Sequence, residues 1–205
     1  MLFRSFSKFN QKIKKNVLPN NLQQLTFGSL FNKKIKKDVL PKKLQKLTFG
    51  SHFNKKIKKN VLPNNLQQLT FGLLFNKKIK KDVLPNNLQQ LTFGLTFNNK
   101  IKKDVLPNSL LKITFGRKYT QKLKNVLPIT LKYIIFNYCD RYYNYNIQKI
   151  IKNIKSNIIN NNIILIFKNL QIYNNYSNKK YLLLIINNNK YNMFDIIYPH
   201  FEHVY

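Results

Sequence analysis

Lysine is the residue whose spacing in this sequence most directly suggests a chemistry. Lysines recur every 22 residues at several positions in the first half of the chain. Rows of ammonium groups attract a polyanion, because neutralising its phosphates releases bound counterions. The chain has 37 Lys and Arg against 6 Asp and Glu, a formal net charge of +31. The sequence therefore predicts a candidate polyanion face, with nucleic acid as the ligand, at Lys34, Lys36, Lys56, Lys58, Lys78 and Lys80.

The same charge has a second interpretation that involves no ligand. Lys, Asn, Ile, Tyr and Phe are abundant together, and their codons are the ones richest in A and T. A genome biased toward A and T would give this composition without selection for binding. Both interpretations stay open from the sequence alone.

Residues that could do other chemistry are few. No two acidic residues lie close together in sequence to suggest a general acid–base pair, and Cys139 is the only cysteine. His200, Glu202 and His203 lie close in sequence but lack further sulfur or acidic ligands for a metal. There is no phosphate-binding loop, no nucleophile elbow and no HExxH pattern. We therefore expect no catalytic residue, no metal, no cofactor and no enzyme activity.

The element that must position the lysines is an internal repeat of 22 residues. A Phe-Asn pair stands at 9/10, 31/32, 53/54, 75/76 and 97/98, and Tyr119-Thr120 takes its place in a sixth copy that has lost one residue. A fixed period of this size indicates a solenoid. Seven apolar residues per copy cannot form a core alone, so each coil must be buried against its neighbours.

Each copy predicts one short strand at its LQQLTF segment. Leu69 and Phe71 would point inward and Gln68 and Thr70 outward, because strand side chains alternate. Stacked coils would then form a parallel sheet. The predicted core includes Leu25, Phe27, Phe31, Leu69, Phe71 and Phe75. The candidate partner face, formed by outward strand positions, is Gln24, Thr26, Gln68, Thr70, Gln90 and Thr92.

Three other repeated residues have predicted structural roles. The glycine after each strand, such as Gly72, is expected in a turn that needs positive φ. The prolines, such as Pro63, favour an irregular return segment over a helix. The asparagine of each Phe-Asn pair, such as Asn54, would bond along the stack to backbone or to its equivalents.

The pattern FNxxI…LPxxLxxLxFG resembles the FNIP repeats, a group related to leucine-rich repeats and found in social amoebae and in giant viruses of amoebae. The resemblance covers about residues 9–136, although Lys or Gln replaces the proline usual after the Phe-Asn pair. It implies a leucine-rich-repeat-like solenoid and an intracellular, viral or amoebal setting. An F-box often precedes such arrays and would imply a ubiquitin-ligase adaptor. Only eight residues precede Phe9, so we expect no F-box here.

The chain divides into an N-terminal cap at 1–8, the repeats at 9–136, and a C-terminal cap at 137–205 of different composition. The cap at 1–8 is expected to be frayed. Isoleucines between 147 and 158 have the spacing of one amphipathic helix, and strand-like runs follow at 163–167, 181–186 and 194–198. No apolar run is long enough for a signal peptide or a membrane span. We expect an intracellular protein, cytoplasmic or nuclear, without membrane contact.

Three hypotheses of function follow. The first is a non-enzymatic protein-interaction scaffold that presents its sheet face and its basic return face to an unknown protein partner. The second is a basic protein that binds nucleic acid through its lysine rows. The third is a duplicated relic with no selected ligand. The sequence gives no oligomeric state.

Overall fold

The strands of the protein form one sheet, and the successive repeats supply its central part. A computed structural model describes residues 2–4, 8–123, 125–137, 163–170, 180–187 and 190–196. Within these residues there are ten strands and no helix. The strands are β1 (Leu2–Arg4), β2 (Gln24–Thr26), β3 (Lys46–Thr48), β4 (Gln68–Thr70), β5 (Gln90–Thr92), β6 (Lys112–Phe115), β7 (Tyr133–Asn137), β8 (Ile163–Leu170), β9 (Lys180–Asn187) and β10 (Lys190–Ile196).

The ten strands form a single sheet whose order follows the sequence from β1 to β10. Strands β1 to β8 are parallel to their neighbours, and β9 and β10 are added antiparallel. In the regular coils the register is offset by one repeat, so that Leu47 lies beside Leu69 and Leu69 beside Leu91. The predicted solenoid of short parallel strands is confirmed. Leu69 and Phe71 are buried as predicted, and Gln68 and Thr70 alternate with them.

Two rows of aromatic rings occupy the core. One row holds the phenylalanine at or next to the C-terminal end of each of β2 to β7, and the other holds the aromatic residue of each Phe-Asn position or its equivalent. Phe71 and Phe75 lie 3.8 Å apart within one coil, and Phe71 lies 5.6 Å from Phe49 and 5.7 Å from Phe93 in the adjacent coils. The two rows are Phe27, Phe49, Phe71, Phe93, Phe115 and Phe136, and Phe9, Phe31, Phe53, Phe75, Phe97 and Tyr119. Each buried ring contributes about 1.5–3 kcal/mol, shared between coils.

The prolines lie in the irregular return, as predicted. Each proline begins a tight turn whose carbonyl accepts a hydrogen bond from the leucine three residues later. Leu66 N donates to Pro63 O at 3.1 Å, and Leu88 N donates to Pro85 O at the same distance. The turn leads directly into the next strand, which explains why proline precedes each of β2 to β7 at a fixed distance.

The expectation that the repeated glycines need positive φ is wrong. No glycine in the described residues has positive φ, and the left-handed residues are instead Asn16, Asp38, Asn60, Asp82, Asp104 and Asn125. Asn and Asp tolerate this conformation because their short polar side chains bond locally. Glycine is needed for close approach, since a Cβ on Gly72 would lie 2.0 Å from the carbonyl oxygen of Gly50 in the preceding coil.

The asparagine row is confirmed and bonds to backbone. The side-chain oxygen of Asn32 accepts from Asn54 N at 3.0 Å, and that of Asn54 accepts from Asn76 N at 3.0 Å. The row begins at Asn10 and ends at Thr120, whose backbone N donates to the Asn98 side chain at 3.0 Å. Each asparagine therefore supplies an acceptor to the return segment of the next coil.

Replacing Asn54 by alanine should lower the free energy of unfolding by about 1 kcal/mol, because the Asn76 N–H loses its acceptor. Asn54→Asp keeps an oxygen at that place and should retain most of the stability. Urea unfolding followed by circular dichroism measures both. Asn64→Ala, in the same coil on an exposed side chain, is the control. Equal midpoints for Asn54→Ala and Asn64→Ala would show that the row adds nothing.

The two ends of the sheet differ from expectation. Residues 2–4 form β1 in register with β2, so the expectation of a wholly frayed N-terminal cap is wrong. Strands β8 and β9 contain the runs predicted at 163–167 and 181–186, and they continue the main sheet. Strand β10 covers only the start of the third predicted run, 194–198. The helix predicted within 147–158 and residues 197–198 lie outside the described residues.

Candidate interaction surfaces

The strand face comprises the outward side chains of β2 to β6. The predicted partner residues Gln24, Thr26, Gln68, Thr70, Gln90 and Thr92 all lie on it and are exposed or half-buried. Lys46 and Thr48 of β3 lie between the first and second of these pairs, because β3 separates β2 from β4. Thr114 of β6 is buried at 7% exposure, so the threonine row becomes inaccessible at that strand. The structure thus brings the predicted residues together on one narrow, nearly uniform surface.

A polar groove of about 340 Å³ lies beside the strand face and was missed by the sequence analysis. Half of its lining is the glutamine that precedes each of β2 to β5. Alternation from the outward Gln68 would place that glutamine inward, so the sequence did not indicate it as a surface residue. Asn65 Nδ2 donates to Lys42 O at 3.0 Å and Ser109 Oγ donates to Leu88 O at 2.7 Å along this groove. The lining residues are Gln23, Lys43, Gln45, Asn65, Gln67, Asn87, Gln89 and Ser109.

The predicted polyanion face lies in the return segments. Its members Lys34, Lys36, Lys56, Lys58, Lys78 and Lys80 are all exposed, and equivalent lysines occupy the same position in adjacent coils. Ile57 and Ile79 lie between them in sequence and are buried at 8% exposure, so the lysines flank an inward residue as predicted. The strand face and the lysine rows therefore belong to different segments of each coil.

A third lysine of the return segment makes an ion pair between coils wherever the following coil has an aspartate at its left-handed position, which occurs three times in the described residues. Lys59 Nζ lies 2.9 Å from Asp82 Oδ2, and Lys15 and Lys81 make longer pairs of 3.4 Å with Asp38 and 3.8 Å with Asp104. These aspartates are the left-handed residues of the coil that follows. All six side chains are more than half exposed, so the pairs reduce local repulsion but add little stability.

Asp82 should titrate below the ordinary range of an aspartate. The hydrogen bond from Lys59 is the main reason that its pKa is lowered, and the charges of Lys59 and Lys81 act in the same direction. A lowered pKa means that the pair contributes stability above the ordinary aspartate value and loses it as pH falls through the lowered value. Carboxyl NMR should show the Asp82 pKa rising in Lys59→Gln. The neighbouring Lys58→Gln is the control, and an equal shift in both variants would contradict a specific pair.

The turn edge is a surface that the sequence analysis did not single out. It consists of the two residues after each glycine, at 29–30, 51–52, 73–74, 95–96 and 117–118. Backbone bonds join these turns from coil to coil, with Leu74 N donating to Ser51 O at 2.9 Å and Thr96 N to Leu73 O at 3.0 Å. His52, an isolated histidine in the sequence, belongs to this edge, and its Nδ1 donates to Ser29 O at 2.9 Å. The signal available from the sequence was variation, because the pair differs in all five regular copies.

Across the described part of the chain, no three His, Cys, Asp or Glu side chains come together to hold a metal ion. His200, Glu202, His203 and Cys139 lie outside that part. In the same described part, no helix has the length and apolar character needed to cross a bilayer.

The repeat matches the FNIP repeat family over residues 9–52, 53–96 and 97–139, more than half of the chain. The chain belongs to the FNIP repeat family. Each family unit spans two of the 22-residue coils described above. The ion pairs of Asp38 and Asp82 lie within such units, and that of Asp104 joins two units.

The FNIP array is also similar to a solved structure, the giant-virus protein CroV588, described as a novel circular leucine-rich-repeat protein structure. The likeness covers 71% of this chain at 47% sequence identity, with a TM-score of 0.64. The chain spans only 21% of the length of that protein. No curated protein matches the chain. The leucine-rich-repeat-like fold is therefore shown by sequence family and by structure together.

Within the FNIP array, the coils differ mainly at a few exposed positions, although the exposed lysine rows repeat unchanged. Core leucines and phenylalanines repeat almost without change, while Gln24 is matched by Lys46 and Gln90 by Lys112 on the strand face. Variation in residue type is greatest at the turn edge. A partner that recognises one place along the array must read positions where the coils differ.

Proposed function

We propose that this FNIP array is a non-enzymatic scaffold for protein–protein interaction and that the strand face receives the partner. The observation that carries the proposal is the in-register row of exposed or half-buried Gln, Lys and Thr side chains on β2 to β5. Parallel strands hold these side chains on a rigid backbone, so little backbone conformational entropy is lost on binding. Family membership and the likeness to a leucine-rich-repeat protein support the same proposal.

The uniformity of the strand face favours a partner that is extended along the stack. Such a partner would follow two parallel rows, one of Gln and Lys side chains and one of Thr side chains, with one member of each row every ~4.8 Å, the spacing between adjacent strands. Amides both donate and accept hydrogen bonds, and threonine adds a hydroxyl and a methyl group. The adjacent glutamine groove offers the same chemistry one residue before each strand. A polypeptide segment can satisfy these groups through its own backbone.

Site-specific photo-crosslinking in the cells that naturally express the protein tests this proposal. A benzophenone amino acid placed at Gln68 or Gln90 should form protein adducts that survive nuclease treatment. The same amino acid at Lys58 on the lysine rows is the matched control and should form fewer adducts. Adducts found only at Lys58, or removed by nuclease, would contradict the proposal and favour nucleic acid.

The lysine rows provide a second, independent test. A variant with Lys34, Lys36, Lys56 and Lys58 changed to Gln should form the same adducts from Gln68 as the unchanged chain. Binding to duplex or single-stranded DNA should be weak in both and should decrease steeply with salt, as nonspecific contacts do. Loss of the Gln68 adducts in the quadruple variant would mean that the lysines, and not the strand face, hold the partner.

A further inference from the structure

We propose that the turn edge of the third and fourth coils is a specificity site that binds an acidic protein segment carrying apolar side chains. The proposal rests on the proposed function only in that the partner is a protein. It concerns a different surface from the strand face. Its centre is formed by Leu73, Leu74 and Leu95, and its basic border by Arg117 and Lys118.

The turn edge differs from every other surface in how much it varies. The pairs read Ser-Leu, Ser-His, Leu-Leu, Leu-Thr and Arg-Lys from the first coil to the fifth. Phe-Gly precedes every pair, and Phe-Asn follows the first four pairs, whereas Tyr119-Thr120 follows the fifth. The same backbone bonds form whether the pair is polar, apolar or charged, since Lys118 N donates to Leu95 O at 3.1 Å as His52 N donates to Ser29 O at 2.9 Å. The fold therefore does not require leucine at these positions.

The leucines are nevertheless exposed and adjacent. Leu73 is 52% exposed, Leu74 43% and Leu95 37%, whereas the core leucines of the same coils are at most 6% exposed. The bond from Thr96 N to Leu73 O joins the two coils at this point. Single exposed leucines are ordinary, but three on two bonded turns form a small patch of the kind that marks a binding site. The patch is also pre-organised, because the glycines before it allow the coils to approach closely.

Charge decides which partner fits the patch. No turn pair contains an acidic residue, and the coil that follows Leu95 presents the exposed Arg117 and Lys118. The net charge of +31 opposes association with a second copy and attracts an acidic segment. An acidic segment with apolar side chains would place those side chains on the leucines and its carboxylates near Arg117 and Lys118.

A peptide-binding experiment tests the site directly. Three fluorescent 12-residue peptides serve as probes: one of Glu and Leu, one with Ser in place of each Leu, and one with Lys in place of each Glu. Anisotropy at near-physiological salt should show tightest binding for the Glu/Leu peptide. The variant Leu73→Ser/Leu74→Ser/Leu95→Ser should bind it about tenfold or more weakly, as expected when central apolar contacts are lost. Arg117→Gln/Lys118→Gln should weaken it less and reduce its salt dependence.

The control variant is Val17→Ser/Ile129→Ser. These two side chains are the most exposed large apolar groups of the described residues, at 63% and 73%, and lie outside the turn edge. The control should bind the Glu/Leu peptide as the unchanged chain does, and circular dichroism melting should show that every variant folds. Equal binding of the Glu/Leu and Glu/Ser peptides, or no loss in the leucine variant, would overturn the proposal. So would a dimer in sedimentation that the leucine variant abolishes, since the occupant would then be a second copy.

The outcomes of this experiment and of the crosslinking are distinguishable. If crosslinks form from Gln68 but the Glu/Leu peptide does not bind, the proposed specificity site is wrong and the proposed scaffold function still stands. If peptide binding depends on the leucines but no protein adduct forms at the strand face, the turn edge is a binding site and the strand face is not the partner surface.

Discussion

Replacing Gly72 by alanine should destabilise the array by about 3 kcal/mol, at the upper end of what overpacking usually costs. The added Cβ would lie 2.0 Å from the carbonyl oxygen and 2.4 Å from the carbonyl carbon of Gly50, and 2.9 Å from Cα of Ser51. All three are backbone atoms of the preceding coil, so no side chain can rotate away. The second and third coils must separate, which would also disrupt the bond from Leu74 N to Ser51 O.

The sign of this effect is informative. No described glycine has positive φ, so alanine could adopt the same backbone conformation. Alanine also lowers the conformational entropy of the unfolded chain, and this effect alone would stabilise the protein by about 0.4–1 kcal/mol. Contact between coils predicts the opposite sign. Urea unfolding followed by circular dichroism decides between them, with Ser51→Ala as the control at the neighbouring position. A Gly72→Ala chain as stable as the control would show that the coils do not touch here.

Replacing Phe71 by alanine should lower the free energy of unfolding by about 3–5 kcal/mol, the usual cost of removing a buried phenyl ring. The ring is 2% exposed and is stacked against Phe49, Phe75 and Phe93. Its loss therefore weakens the interfaces of the third coil with both of its neighbours. Because a solenoid is stable through nearest-neighbour contacts, a defect at its centre should also divide the unfolding into separate steps.

The same substitution at the first coil separates these two effects. Phe27→Ala should release only the N-terminal coil and leave one main transition, whereas Phe71→Ala should broaden or split it. The chain has no tryptophan, so hydrogen exchange resolved by coil is the suitable measurement. Leu73→Ala, at a side chain 52% exposed, should change stability by no more than about 0.5 kcal/mol. Identical behaviour of Phe27→Ala and Phe71→Ala would contradict stacking of successive coils.

The sequence predicted the parts of the fold that repeat. The 22-residue period gave the solenoid, and alternation around Leu69 gave the strand and its inward face. Pro63 indicated the irregular return, and the spacing of Asn54 and its equivalents indicated a bonded row. These features are local or periodic, and a single repeat contains enough residues to define them.

Features that depend on the distance between coils could not be predicted in the same way. The glycine at Gly72 was assigned to a turn because sequence alone does not show the carbonyl of Gly50 beside it. The left-handed residue was instead at Asp82 and its equivalents, where every copy has either Asn or Asp, and that restriction was the available signal. The N-terminal strand at Leu2–Arg4 was missed because its pairing with β2 does not require the repeat motif.

The candidate surfaces also differ in whether the sequence could predict them. The strand face and the lysine rows could be located because strand alternation and the position of Ile57 fix their direction. The turn edge could not be located from strand alternation, because the exposure of Leu73 and Leu74 depends on the turn that follows Gly72. A comparison of the five copies position by position would have identified it as the most variable pair.

The stacking of successive copies at strand spacing is tested most directly by dipolar broadening between pairs of nitroxide labels on the strand face. One label stays at Gln24 and the second moves to Lys46, Gln68 or Gln90, one, two or three coils away. The label separation should increase by ~4.8 Å at each step, so broadening should be strongest at Lys46 and decrease regularly. A first step of about 8–10 Å, the distance between packed helices, would contradict the stacked coils and every surface assigned to them.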